Sequence, residues 1–223
     1  MIYTLRHDLS HFPSPLSGAD KRWDAELIYF EGSEDARFGN PTIDYRGRVP
    51  SVIEFVGELS TLEWSDFPYV SPTRLLMSKK MLDVLLSIQP FKHRVYPARV
   101  YSYGIDELVR YKFDGTRTDY EVEEPSLYTD KFVIMQLAEN TDVLDEDKTI
   151  IEGKTARESE EWFLSEFDVE HYEFTRGEKD LPPVFTTPKT PYFYTEATVR
   201  ALEAHNIRGD KFNPIPGQLI KIV

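Results

Sequence analysis

Apolar positions along the chain recur with two periods, and the switch between them predicts the elements. Ala25-Glu26-Leu27-Ile28-Tyr29-Phe30 and Ser51-Val52-Ile53-Glu54-Phe55-Val56 read as strands, each followed by glycine within two residues. Met81, Leu82, Leu85 and Ile88 fall at helical spacing over residues 79–88. Ser78 stands as the N-cap and Pro90 as the stop. Val95 to Tyr101 reads as a strand, and Pro97 within it argues for a sheet edge or a strand end. Lys131-Phe132-Val133-Ile134-Met135-Gln136-Leu137 is apolar without alternation, the pattern of a strand buried on both faces. Thr149 to Ile151 and Tyr172 to Phe174 read as short strands, and Ala156 to Phe167 as a helix with Trp162, Phe163 and Phe167 inward. The first twenty-odd residues, with Pro13, Pro15, Gly18 and three serines, read as irregular, as does the Gly/Pro-rich stretch 34–50. Trp64-Ser65-Asp66-Phe67-Pro68-Tyr69 packs three aromatics beside a proline and is assigned to the core.

One pattern occurs twice. Pro191 to Tyr194 is a short strand, Thr195 an N-cap, and Glu196 to His205 a helix with Val199 and Leu202 inward. Laid on the earlier segment without a gap, Ser78 falls on Thr195, Leu82 on Val199, Leu85 on Leu202, Val95 on Phe212 and Pro97 on Pro214. The spacing predicts a duplicated strand–helix–strand unit.

Composition narrows the class. With 223 residues, 40% hydrophobic and 13% aromatic, the chain can bury a core rather than remain disordered. It has no cysteine, which excludes a disulfide framework, a thiolate metal site and a cysteine nucleophile, and fits a reducing compartment. No secretory leader is visible at Met1 to Asp8, and the apolar runs are too short to span a bilayer, so the expected location is the cytoplasm.

The formal net charge of −13 is not spread evenly. Residues 119–180 hold 20 acidic and 6 basic side chains; the rest of the chain holds 19 and 20. A surface of this sign repels nucleic acid and anionic membrane and attracts basic proteins. The densest carboxylates are Asp142, Asp145, Glu146 and Asp147, followed by Glu158, Glu160 and Glu161, and these seven are the candidate partner-binding residues. The alternative for each is a solvated loop or helix face.

Catalytic motifs are scarce. There is no G-x-G-x-x-G, no Walker A and no G-x-S-x-G. Asp142 to Asp147 lacks the glycine and closing glutamate of a calcium loop. His7 and His11 are four apart, but their Ser/Pro-rich setting does not favour the helix that would make them joint metal ligands. Glu170 beside His171 is the one candidate acid–base pair, although neighbours on a strand point to opposite faces. The expectation is no catalytic residue, no cofactor and no metal.

Three segments carry a family likeness. Phe132 to Leu137 followed by Asp142-Val143-Leu144-Asp145-Glu146-Asp147-Lys148, the closing stretch Phe193 to Phe212, and Met77 to Leu86 together resemble the immunity proteins of bacterial polymorphic toxin systems. The likeness covers roughly residues 65–215. It departs from the family pattern at Ser78-Lys79-Lys80, where Ser-Glu-Arg is the usual run. The resemblance implies an intracellular protein that neutralises a cognate toxin, and no toxin-contacting residue is carried over from it.

The expectation is therefore an α+β protein with mixed and antiparallel sheets. It would form a single domain over residues 1–223, built from two intertwined lobes at about 25–115 and 120–223. Its expected function is to bind a basic protein toxin through an acidic surface, with no nucleic-acid or membrane partner. The alternatives are a hydrolase using Glu170 and His171, and a generic ligand- or protein-binding module.

Overall fold

The computed structural model describes residues 1–7, 25–28, 38, 40–57, 59–68, 70–71, 76–102, 127–159, 169–188, 190, 192–208 and 210–214. It is an α+β fold with mixed and antiparallel sheets.

The first of two related units is β5 (Leu76–Ser78), α2 (Lys79–Ile88), β6 (His93–Ser102) and β8 (Phe132–Leu137). Strands β5 and β6 both run antiparallel to β8, which lies between them, so the unit is a split strand–helix–strand. The second is β13 (Phe193–Thr195), α3 (Glu196–Ala204), β14 (Asp210–Pro214) and β1 (Ile2–His7). Here β1 lies between β13 and β14, again antiparallel to both, and β12 (Val184–Phe185) pairs with β13 on its other side. The register is the same in each. Met77, Val133 and Pro97 stand on one line across the first unit, and Tyr194, Tyr3 and Pro214 on one line across the second.

The caps repeat too. Ser78 Oγ accepts from Met81 N at 3.0 Å and Thr195 Oγ1 from Thr198 N at 3.3 Å, each satisfying a first-turn donor. Even the approach repeats. Ser78 N donates to Asp66 O at 2.7 Å and Thr195 N to Pro183 O at 3.2 Å, so residues 66–97 run in step with 183–214.

The central strand of each unit comes from elsewhere in the chain. β8 enters the first unit from beyond residue 120, and β1 enters the second from the start of the chain. This corrects the irregular reading for residues 2–7; residues 8–24 of that stretch lie outside the described residues. Ile2-Tyr3-Thr4-Leu5 is rich in strand formers, but six residues alone signal little. Pairing on both sides makes them a strand.

Three apolar clusters order the layers. Alternate residues of β5 and β8 point to opposite faces: Met77, Val133, Met135 and Leu137 meet Met81, Leu82 and Leu85 of α2, while Leu76, Phe132 and Ile134 face the other way. In the second unit Tyr194 faces Val199 and Leu202 of α3, and Phe193 and Ile2 face away. The helix-side faces of both units form one continuous cluster, in which α2 packs on α3. Burying Leu85 and Leu202 there contributes on the order of 2 kcal/mol each.

The first unit extends into a wider sheet. β3 (Ile53–Gly57) pairs parallel to β6, β2 (Ala25–Leu27) pairs with β3, and β4 (Val70–Ser71) with β2. β6 is thus an interior strand, against the edge position that Pro97 suggested. The proline is tolerated because the β3 ladder begins only at Ala98, so its missing N–H removes no rung on that side. β7 (Tyr128–Thr129) runs into β8 through one extra residue near Asp130–Lys131, a bulge against β6.

The bulge aims Lys131 at the end of α1 (Leu59–Trp64), a helix the sequence pattern did not announce. Its Nζ donates to the carbonyls of Leu62, Glu63 and Ser65, at 2.7 Å for the last, satisfying groups that a helix C-terminus leaves open. Burial holds the Lys131 pKa below its ordinary value. Of the aromatic run assigned to the core, Phe67 is buried, Trp64 is exposed, and Tyr69 lies outside the described residues.

Candidate functional site

The face of the second unit turned away from the helices is covered by residues 143–159 and 169–181. Val143, Ile151, Ala156, Val169, Tyr172, Phe174 and Leu181 pack there on Ile2, Phe185 and Phe193. Phe193 meets Tyr172 and Phe174 edge-on, with ring centroids 5.2 and 5.3 Å apart. This apolar base carries a three-stranded sheet in which β9 (Ile150–Ile151) lies between β10 (Lys154–Thr155) and β11 (Val169–His171). The strand predicted at Tyr172 to Phe174 lies instead at Val169–His171, and of the predicted residues only Phe174 makes an isolated bridge, to Leu144.

Local chemistry explains each turn of the layer. Asp142-Val143-Leu144-Asp145 runs against 173–175. Asp145 N donates to Glu173 O at 2.9 Å and Thr175 N to Val143 O at 2.8 Å. Val143 goes inward and Asp142 faces solvent. The Asp145 carboxylate accepts from Asp147 N at 3.2 Å, closing an Asx-type turn. Ile151 pairs with Lys154, leaving Glu152 and Gly153 as a two-residue hairpin turn with φ of 46° and 77°. Positive φ at both positions is the primed type I geometry that matches strand twist. Gly153 adopts it freely; Glu152 does so against its side-chain preference.

Thr155 and Glu158 form a reciprocal capping box. Glu158 N donates to Thr155 Oγ1 at 3.3 Å, and Thr155 N donates to Glu158 Oε2 at 3.1 Å. Of the helix expected from Ala156 to Phe167, residues 156–158 form a turn rather than helix, and 160–167 lie outside the described residues.

These contacts sort the seven candidate carboxylates. Asp145 pairs with Lys148 at 3.1 Å, and that bond holds its carboxyl below the usual range. Asp147 meets the Arg157 guanidinium at 2.5 and 3.0 Å. Glu158 is spent on its cap, and the Thr155 backbone N–H lowers its pKa. Glu146 is half-buried, and its backbone carbonyl accepts from Arg157 N at 3.2 Å. Asp142 is exposed with no ion pair among the described residues. Glu160 and Glu161 lie outside the described residues.

Two carboxylates outside the seven partner-binding candidates join Asp142. Glu152 at the hairpin tip and Glu170 on β11 are exposed and have no ion pair among the described residues. The T-x-x-E spacing of Thr155 and Glu158 and the three-residue spacing of Asp145 and Lys148 were the signals that could have separated structural from free acids.

The acid–base candidate is rearranged. His171 Nε2 lies 3.1 Å from Oε2 of Glu173, while Glu170 points into solvent. The Thr149 hydroxyl beside them accepts from Glu173 N at 3.1 Å, so it is engaged in holding backbone. A surface cleft of about 380 Å³ lies elsewhere, between the C-terminus of α2 and the N-terminus of α3. Gln89, Glu178, Thr195, Glu196 and Arg200 are among its lining residues, and neither Glu170 nor His171 is. His7 ends a strand, so the helical spacing that would join it to His11 does not apply. Among the described residues no group of three His, Asp or Glu side chains could hold a metal ion, and no helix is long and apolar enough to cross a membrane. Compared with known proteins, the chain matches no family model and no curated relative.

Proposed function

We propose that this chain is an immunity-type protein of a bacterial polymorphic toxin system, one that acts in the cytoplasm by binding and neutralising a basic protein toxin. The observation that carries this reading is the location of the charge. The negative excess falls in residues 119–180, and the described residues 142–159 and 169–180 of that segment, with 10 acidic and 5 basic side chains, build the layer by which the second unit differs from the first. The motif resemblance over residues 65–215 points to the same class.

Charge placed on an outer layer steers a basic partner and raises its association rate without disturbing the core. Among the described residues, exposed carboxylates free to do this include Asp142, Glu152 and Glu170. Asp145, Asp147 and Glu158 are already compensated within the layer. Interface chemistry therefore centres on the hairpin tip and β11 rather than on the Asp145–Asp147 turn.

The test is affinity capture by the intact chain from a lysate of its own cells, followed by kinetics on the captured protein. The expected partner is a single basic protein whose toxicity the chain suppresses. Asp142→Asn, Glu152→Gln and Glu170→Gln together should slow association about tenfold at low salt and little at high salt. Failure to capture a toxic partner sinks the inhibitor reading. An unchanged association rate at low salt removes the acidic layer from the interface.

A further inference from the structure

We draw no further inference here: the strongest candidate, the solvent-facing patch where Arg99 and Tyr101 of β6 meet Leu127 and Tyr128 at β7, has its charges paired internally through Asp130 and Glu54, and nothing in the structure shows what covers it.

Discussion

The two split units share strand order, register, caps and helix-side packing, yet the faces they turn away from the helices are built from unrelated material. In the first unit that face carries Leu76, Phe132 and Ile134 and is covered by Phe38, Tyr45 and Leu62. A buried amide pins the cover. Gln136 Nε2 donates to the carbonyls of Asn40 and Ile43 at 2.6 and 2.8 Å, and its Oε1 accepts from the Tyr96 hydroxyl at 2.9 Å. In the second unit the equivalent of Leu76 is Phe193, and the cover is the acidic three-stranded layer. Repeated packing constrains one side of each sheet. The other side needs only an apolar base of matching shape, so its outer surface can take any charge. In the second unit the described residues of that surface, 142–159 and 169–180, hold 10 acidic and 5 basic side chains.

The strongest way to break this equivalence is to cut the same position in both units. Leu76→Ala and Phe193→Ala both empty fully buried sites and should cost about 2–5 and 3–5 kcal/mol respectively. Denaturant melts followed by two probes should show one coincident transition for each, because α2 and α3 share one cluster. Two separated transitions would show that the units fold apart.

Gln136→Leu sharpens the contrast between covers. It removes the donor to two part-buried carbonyls and the acceptor of the buried Tyr96 hydroxyl, which keeps its bond from Tyr45 N, at about 1–3 kcal/mol. Hydrogen exchange should rise around residues 40–45 and stay unchanged in β9 to β11. A rise in both regions would mean the covers are coupled.

Replacing the paired caps tests symmetry directly. Ser78→Ala and Thr195→Ala should each cost about 1 kcal/mol. A difference of more than about 1 kcal/mol between the two melts would show that tertiary context outweighs the shared motif.

Acid should loosen the second cover before the first. The carboxyls of Asp145 and Glu158 are depressed below their ordinary values of 3.8 and 4.5 by partners that exist only when folded. Their contribution is complete above those values and is lost as pH falls through the depressed ones. Proton-resolved titration should show β9 to β11 signals shifting below pH ~4 while those of Gln136 and Tyr96 hold. Simultaneous loss would overturn the assignment.

The smallest effect is at the hairpin tip. Glu152→Asn should stabilise by a few tenths of a kcal/mol, since asparagine tolerates positive φ better. Destabilisation would mean that the glutamate makes a contact outweighing its strain.

Legibility followed the range of the interaction. Helix α2 with its Ser78 cap, helix α3 with its Thr195 cap and the doubly buried strand β8 were all readable, because capping and periodicity act within a few residues. The repeat was readable for the same reason, since it copies local signals. Helix α1 was missed. It is six residues long, and its end is satisfied by Lys131, nearly seventy residues away. Pro97 was placed at a sheet edge or a strand end because the sequence cannot say where a neighbouring ladder begins.

The candidate site divides in the same way. Sequence alone placed the negative excess in residues 119–180, since charge is a property of composition. It could not say which acids were free. Asp147 is compensated by Arg157 and Glu139 by Lys92, both across turns or strands that only folding brings together. Glu152 and Glu170 stand free because the hairpin and β11 turn them outward. By itself, then, the sequence determined the α+β class, the capped helices and their duplication, and the location of the charge, all of which rest on local or summed properties. Tertiary structure alone decided that β1 and β8 are the central strands and which face each unit leaves to a different cover. It also decided which carboxylates meet solvent, because each of these depends on contacts between residues far apart in the chain.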